Sequence, residues 1–345
     1  LFAVASIRPE DREMAKPPQE RIVSTGFASP TGPAKPLATT QPLAPDSPYY
    51  FWLEVGEPVP GSMEVRPTAL PTEHLPAEAR LRVVLFPFPG GLEITPDVDV
   101  GELQLQSDGT VRVMAQPGGH GPQGLAADDP LLAQRLFFPV RTPVQEGVCR
   151  LRCSIYYEQA LVQSRLIEAH VQSNTQPVQD ALRSEVDYTL TYTLSPMSLA
   201  SLQENRLSVM LNDNGNGTHS FRVLGGDAAH SFKGNATLDA HEVQDLITEA
   251  RGAMRLAAWG NEGEWAKQPY RYDGPPDLDR LKNDLIRFAV RGYRFYDQII
   301  DRLGGSFEGG LALTELMRTS GQVQIALKRT PRFVLPAATI YDSRL

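Results

Sequence analysis

Apolar and polar residues alternate in one short run after another between Tyr49 and Val171: YYFWLEVG (Tyr49 to Gly56), RLRVVLFPFP (Arg80 to Pro89), GELQLQ (Gly101 to Gln106), TVRVMA (Thr110 to Ala115), QRLFFPV (Gln134 to Val140), GVCRLRCSIYYE (Gly147 to Glu158) and ALVQSRLIEAHV (Ala160 to Val171). A period of two is the signature of strands with one face in a core. The glycine-containing SDG (Ser107 to Gly109) joins two of them as a hairpin would. Six or seven short strands over about 120 residues, punctuated by Pro and Gly turns, predict a β-sandwich spanning 47–174. Such sandwiches host binding more readily than chemistry.

The residues before this region, 1–46, are proline-rich (MAKPPQE, SPTGPAKP, QPLAPDSP) and carry little periodicity. They bury too little apolar surface to offset their ordering entropy, which predicts an extended arm. Within it, Arg21 to Ala28 (RIVSTGFA) is apolar enough to add as an edge strand. The arm reads either as a linker or as a strap around a neighbouring subunit.

Residues 175–270 predict an α+β unit. VDYTLTYTLS (Val186 to Ser195), RLSVMLND (Arg206 to Asp213) and SFRVLG (Ser220 to Gly225) have strand texture. A helix fits Leu238 to Gly260, where Val243, Leu246, Ile247, Ala250, Met254 and Ala257 recur at helical spacing. Asp239 with Glu242 three positions on forms a capping box, and Gly260 is a natural stop.

Residues 271–345 predict the opening of an α/β domain. From Asp277 to about Leu303, Leu278, Leu281, Leu285, Phe288, Gly292, Phe295, Ile299 and Leu303 form one apolar stripe. GGSFEGG interrupts it, a short helix ALTELMRTS follows, and VQIALKRTPRFVLP reads as a buried strand. The alternating βα units that would complete a parallel sheet are missing, and no P-loop or Rossmann glycine pattern occurs.

Several constellations resemble chemistry. Asn212, Asn214, Asn216 and Gly217 mimic the start of a calcium loop, yet Val223 stands where the bidentate Glu belongs, and a hairpin loop with asparagine and glycine at positive φ accounts for the same residues. Asp213, His219 and Ser220 are the residue types of a triad, but neighbours on a strand point to opposite faces. Trp259, Trp265, Tyr270 and Tyr272 read as a loop anchor or an aromatic binding surface. Cys149 and Cys153, four residues apart on one strand face, lie about 13 Å apart, beyond disulfide reach, and read as core thiols rather than nucleophiles. No residue is assigned a catalytic, cofactor-binding or metal-ligating role, and no cofactor is expected.

A net charge of -8 argues against nucleic acid as a partner, and no run approaches a membrane span. With no basic-then-apolar leader at the start of the sequence, a cytoplasmic location is expected.

The stretches DLDRLKNDLIRFAVRGYRFYDQIIDRL and VQIALKRTPRFVLPAATIYD resemble the beginning of the CHAT family of caspase-like cysteine peptidases. The family's helix ends in a "G..LY..L" pattern and a strand then leads to "LPWELLYD". This sequence offers Gly292, Tyr293, Arg294, Phe295 and Tyr296 in the helix, then Leu335-Pro336 and Ile340-Tyr341-Asp342, with Ala337 and Ala338 in place of Trp-Glu. The resemblance implies that the catalytic His and Cys stand on later strands, outside these 345 residues. It also implies that the sandwich and α+β unit are a non-catalytic sensor or scaffold region of a bacterial peptidase of immunity or cell-death signalling. The fold expected is therefore multi-domain α+β, with an N-terminal β-sandwich, a middle α+β unit and the start of a caspase-like α/β domain. A protein partner or oligomer is expected in either case, because the competing reading is a structural or interaction protein packed in an assembly.

Overall fold

The structure is a computed structural model that describes residues 21–72, 75–76, 78–95, 97–108, 110–174, 176–190, 205–214, 216–226, 231–261, 269–318 and 321–327. It is a mixed α+β protein of two compact units.

The first unit carries β1 (Ile22–Ser29), β2 (Gly32–Pro36), β3 (Pro48–Gly56), β4 (Arg80–Pro87), β5 (Glu93–Ile94), β6 (Val100–Leu105), β7 (Val111–Ala115), β8 (Arg135–Arg141), β9 (Gly147–Tyr157), β10 (Ala160–Val171) and β11 (Leu182–Thr189). They form a five-stranded sheet, β2-β1-β3-β8-β5, and a six-stranded sheet, β11-β10-β9-β4-β6-β7. One hydrophobic core takes side chains from both: Val23, Phe27, Phe51 and Leu53 from the first meet Leu81, Val83, Leu85, Leu151 and Ile155 from the second. The alternation in the sequence is what makes this possible, since every second residue of β4 and β9 reaches the same side. The β6–β7 connection is a hairpin closed by Asp108, whose carboxylate accepts from the Thr110 amide (2.9 Å) and hydroxyl (2.7 Å).

The stretch expected as an edge strand within the arm is an interior strand: β1 lies between β2 and β3. The physical reason sits in β2, which contains Pro33 and Pro36 and takes the edge, the position where a missing N–H costs no ladder bond. Between Ile22 and Pro36 the proline-rich stretch is thus mostly sheet; residues 1–20 lie outside the described residues.

Trp52 fixes how β1, β3 and β8 pack. It is fully buried, its indole N–H donates to the Phe27 carbonyl (3.3 Å), and the Arg135 guanidinium lies 4.2 Å from its ring centre. Opposite it on β1 stands Gly26, where an added Cβ would sit 2.4 Å from the indole ring.

The second unit carries β12 (Asn205–Asp213), β13 (Thr218–Gly226), β14 (Ser231–Asp239), helices α1 (Ala240–Trp259), α2 (Leu278–Gly304) and α3 (Phe307–Arg318), and β15 (Gln322–Leu327). The sheet order is β14-β13-β12-β15; β12, β13 and β14 form an antiparallel meander and β15 returns parallel to β12. Asp239 caps α1 in a full capping box with Glu242, and Gly260 closes it at φ +76°. Asp277 caps α2 by accepting from the Asp279 and Arg280 amides. Leu207, Leu211, Phe221, Val223, Ala236 and Leu238 pack against Val243 and Ile247 of α1, Tyr296, Ile300 and Leu303 of α2, and Leu313 of α3.

Two readings of this segment change. The third helix begins at Phe307, inside the glycine-rich break, because Ser306 accepts from the Gly309 amide and starts the turn there. β15 is less buried than its composition suggests, with Val323 and Ile325 exposed.

Two outcomes follow from this packing. Gly26→Ala drives a methyl into a ring that cannot move, so chemical denaturation should show a loss of about 1–3 kcal/mol; unchanged stability would contradict the wedge. Lys233 on β14 is desolvated, which pulls its ammonium down from 10.5 to about 8. Between those two pH values the unfolded chain holds a proton that the folded chain lacks, so stability rises with pH by about 1 kcal/mol per unit or less. Lys233→Met should flatten that rise and stabilise the fold at pH 7, read from melting curves of the two proteins across pH 7 to 11.

Candidate functional site

The residues that resemble chemistry are placed by the sheets. On β9, Cys149, Leu151, Cys153 and Ile155 share the face that joins the core of the first unit, and both thiols are free and buried. Burial raises the Cys149 thiol, and pushes Cys153 up to about 12. A thiol held in that form is a poor nucleophile, because the attacking species is the thiolate.

The asparagine-rich turn joins β12 to β13. Asn212 Nδ2 donates to Asn214 Oδ1 (2.8 Å), Asn214 Nδ2 donates to Thr218 Oγ1 (2.8 Å), and Asn216 Oδ1 accepts from the Thr218 amide and hydroxyl. The remaining oxygen of this ladder, Asn212 Oδ1, accepts from the buried Arg222 guanidinium. The oxygens a cation would need are engaged by protein donors, and Gly217 takes φ +82° to turn the chain. Among the described residues no cluster of His, Cys, Asp and Glu has the arrangement of a metal site.

The antiparallel register sets Asp213 opposite His219 and Asn212 opposite Ser220. Ser220 Oγ donates to Asn214 Oδ1 (3.0 Å), on the face away from Leu211 and Phe221. His219 lies on the other face, where burial lowers its imidazole pKa against a smaller opposing pull from Asp213 and Asp239. The geometry separates the base from the hydroxyl.

Trp259, Tyr270 and Tyr272 form an edge-to-face and tilted series with ring centres 6.4 and 6.2 Å apart. The Tyr272 hydroxyl donates to Asp284 on α2 (2.8 Å), and Arg271 donates to the Leu256 carbonyl near the end of α1 (2.7 Å). These side chains anchor the connection between α1 and α2. Trp265 lies outside the described residues.

Sequence reasoning missed a set of buried arginines. Arg152 forks onto both oxygens of Asp187 (2.7 Å each) and donates to Ser164; Arg165 pairs with Glu64 (2.8 Å) and donates to the Val23 carbonyl. In CRLRC, Arg152 alternates with the core residues Leu151 and Cys153, the pattern of a half-buried strand, whereas Arg165 shares the core face of β10 with Ile167 and Ala169. Sheet faces buried on both sides cannot be told from half-buried ones by alternation alone. Also unforeseen is an open cleft of about 580 Å³ beside the β6–β7 hairpin, lined among others by Arg21, Glu54, Glu57, Asp108 and Arg112. Its lining mixes acidic and basic side chains and contains no Ser–His or Cys–His pair.

The helical half of the resemblance lies in α2, with Gly292, Phe295 and Tyr296 in the core of the second unit. Leu335, Pro336, Ile340, Tyr341 and Asp342 lie outside the described residues. Among the described residues no helix is long and apolar enough to cross a membrane.

No protein-family profile matches the chain, and no solved structure matches it. Over 339 residues it is 43% identical to a protein of Vitiosangium sp. (strain GDMCC 1.1324) named "Probable protease", a match that covers 97% of this chain and 43% of the relative. The chain therefore spans less than half the length of the curated relative it matches, and nearly all of it has a counterpart in a protein named for proteolysis.

Proposed function

We propose that this chain is the non-catalytic sensor or scaffold region of a CHAT-type, caspase-like cysteine peptidase, acting in the cytoplasm in bacterial immunity or cell-death signalling. In this reading the first unit is a β-sandwich that receives a protein partner. The second unit joins it to the peptidase.

The observation that carries the reading is a mismatch of extents. The relative named as a protease corresponds to nearly the whole of this chain, yet more than half of that relative lies outside the match. Within the match, both cysteines are buried core thiols and His219 faces away from Ser220, so the described residues offer no assembled nucleophile. Proteolysis is then the work of the remaining length. The buried ion pairs and shared core give the first unit the rigidity that a docking platform needs.

The test compares the purified 345-residue chain with the whole Vitiosangium relative on denatured casein and a mixed fluorogenic peptide library. Hydrolysis by the relative and none by the chain is the expected result. Hydrolysis by the chain alone, abolished by Cys149→Ala or Cys153→Ala, would overturn the proposal.

A further inference from the structure

The open cleft beside the β6–β7 hairpin belongs wholly to the first unit. At about 580 Å³ it has the size of a ligand site, for which roughly 300–1,000 Å³ is usual. The β1–β3 ladder ends at Ile22↔Gly56, which leaves Arg21 and Glu57 at the rim, and the hairpin contributes Gln106, Asp108 and Arg112.

Two carboxylates of the lining are fixed by the fold. Asp108 accepts from the amide and hydroxyl of Thr110, and those bonds, with the Arg21 guanidinium nearby, hold its carboxyl below the usual carboxylate range. Glu54 accepts from Nε (3.0 Å) and Nη2 (2.8 Å) of Arg135, itself stacked over Trp52. Both bonds end on Oε2. Among the described residues no donor reaches Oε1, although the Glu54 side chain is only 19% exposed. An acceptor held still in a cleft and left without a donor is arranged in advance for one brought by a ligand.

The lining also narrows the kind of ligand. It contains no aromatic ring and so offers no stacking platform for a base. Glu54, Glu57 and Asp108 repel a phosphate, Arg21 and Arg112 repel a lone cation, and no metal-binding cluster occurs among the described residues. Walls of both signs complement a ligand that carries both signs along its length. An extended polypeptide does so, and Val55, Val111 and Ala133 give apolar contact to the stems of its long side chains.

We propose that this cleft binds an extended segment of a protein partner through a lysine or arginine side chain that bonds Glu54, with an acidic neighbour on the segment paired to Arg112. This rests on the reading of the first unit as the one that receives a protein partner, and it gives that contact a place and a chemistry.

The experiment selects phage-displayed random dodecapeptides on the immobilised 345-residue chain, then titrates the enriched peptides, fluorescently labelled, by polarisation. The enriched peptides should carry Lys or Arg, and norleucine in its place should weaken binding about tenfold or more. Glu54→Gln should do the same. Because that change also touches the pairing of buried Arg135, Arg112→Glu at the exposed rim is the second variant. It should weaken peptides that carry an acidic residue about tenfold while its circular dichroism stays that of the parent chain. Bound peptide should slow amide exchange in 54–57 and 110–112. Failure to enrich any peptide overturns the proposal, as does affinity that survives norleucine replacement, or binding indifferent to both variants. Peptides whose exchange footprint lies elsewhere on the first unit also overturn the cleft, yet leave the docking reading standing. Casein hydrolysis by the whole relative is read separately: if it is absent while the cleft binds, the peptidase reading alone fails.

Discussion

The second unit depends on one pairing, the parallel ladder between β12 and β15. It joins residues more than a hundred positions apart in the chain and turns everything between them into a crossover connection. Loop closure of that length is entropically costly, and the contacts that offset it are the apolar residues of α1, α2 and α3 laid on the sheet. The fit is incomplete at both ends. α2 has 27 residues, about 40 Å of helix, against a sheet only four strands wide. Its stripe is therefore buried from Gly292 to Leu303, while Leu278 and Leu285 on the same side are exposed. The unit thus leaves apolar side chains of α2 and β15, among them Leu278, Leu285, Val323 and Ile325, exposed.

The first unit solves a different problem. Its two sheets share one core; Arg152 is buried on the side of β9 away from that core, whereas Arg165 lies between the sheets, on the face of β10 that carries Ile167 and Ala169. Arginines in such places require partners, and Asp187 and Glu64 supply them with short, forked or multiply supported contacts. Buried pairs of this kind add little net stability, but removing one partner is severe, so they favour one arrangement of strands over its competitors.

Local signals in the sequence located most elements. The alternation at β4, β9 and β10, the caps at Asp239 and Gly260 and the start of α2 at Asp277 all reappear within a residue or two, because each is decided by nearby atoms. What the sequence did not show is decided at a distance. β1 reads the same whether it sits at an edge or inside; only β2 folding back settles it. The parallel return of β15 and the burial of Arg152 and Arg165 depend on partners remote in the chain. The candidate chemistry was legible to the same degree. Strand period alone separates His219 from Ser220, whereas the engagement of Asn212 by Arg222 required the folded sheet.

Both cysteines are packed in the core of the first unit, and their reactivity is the most direct test of a region without its own nucleophile. Alkylation of Cys149 and Cys153 by iodoacetamide at neutral pH should be slower in the native chain than in denaturant by at least about a thousandfold, the factor expected for thiols released only by unfolding. A cysteine that reacts in the native chain as fast as a free thiol, or faster, would be an accessible and activated nucleophile. The division between a non-catalytic platform and a separate peptidase would then be wrong.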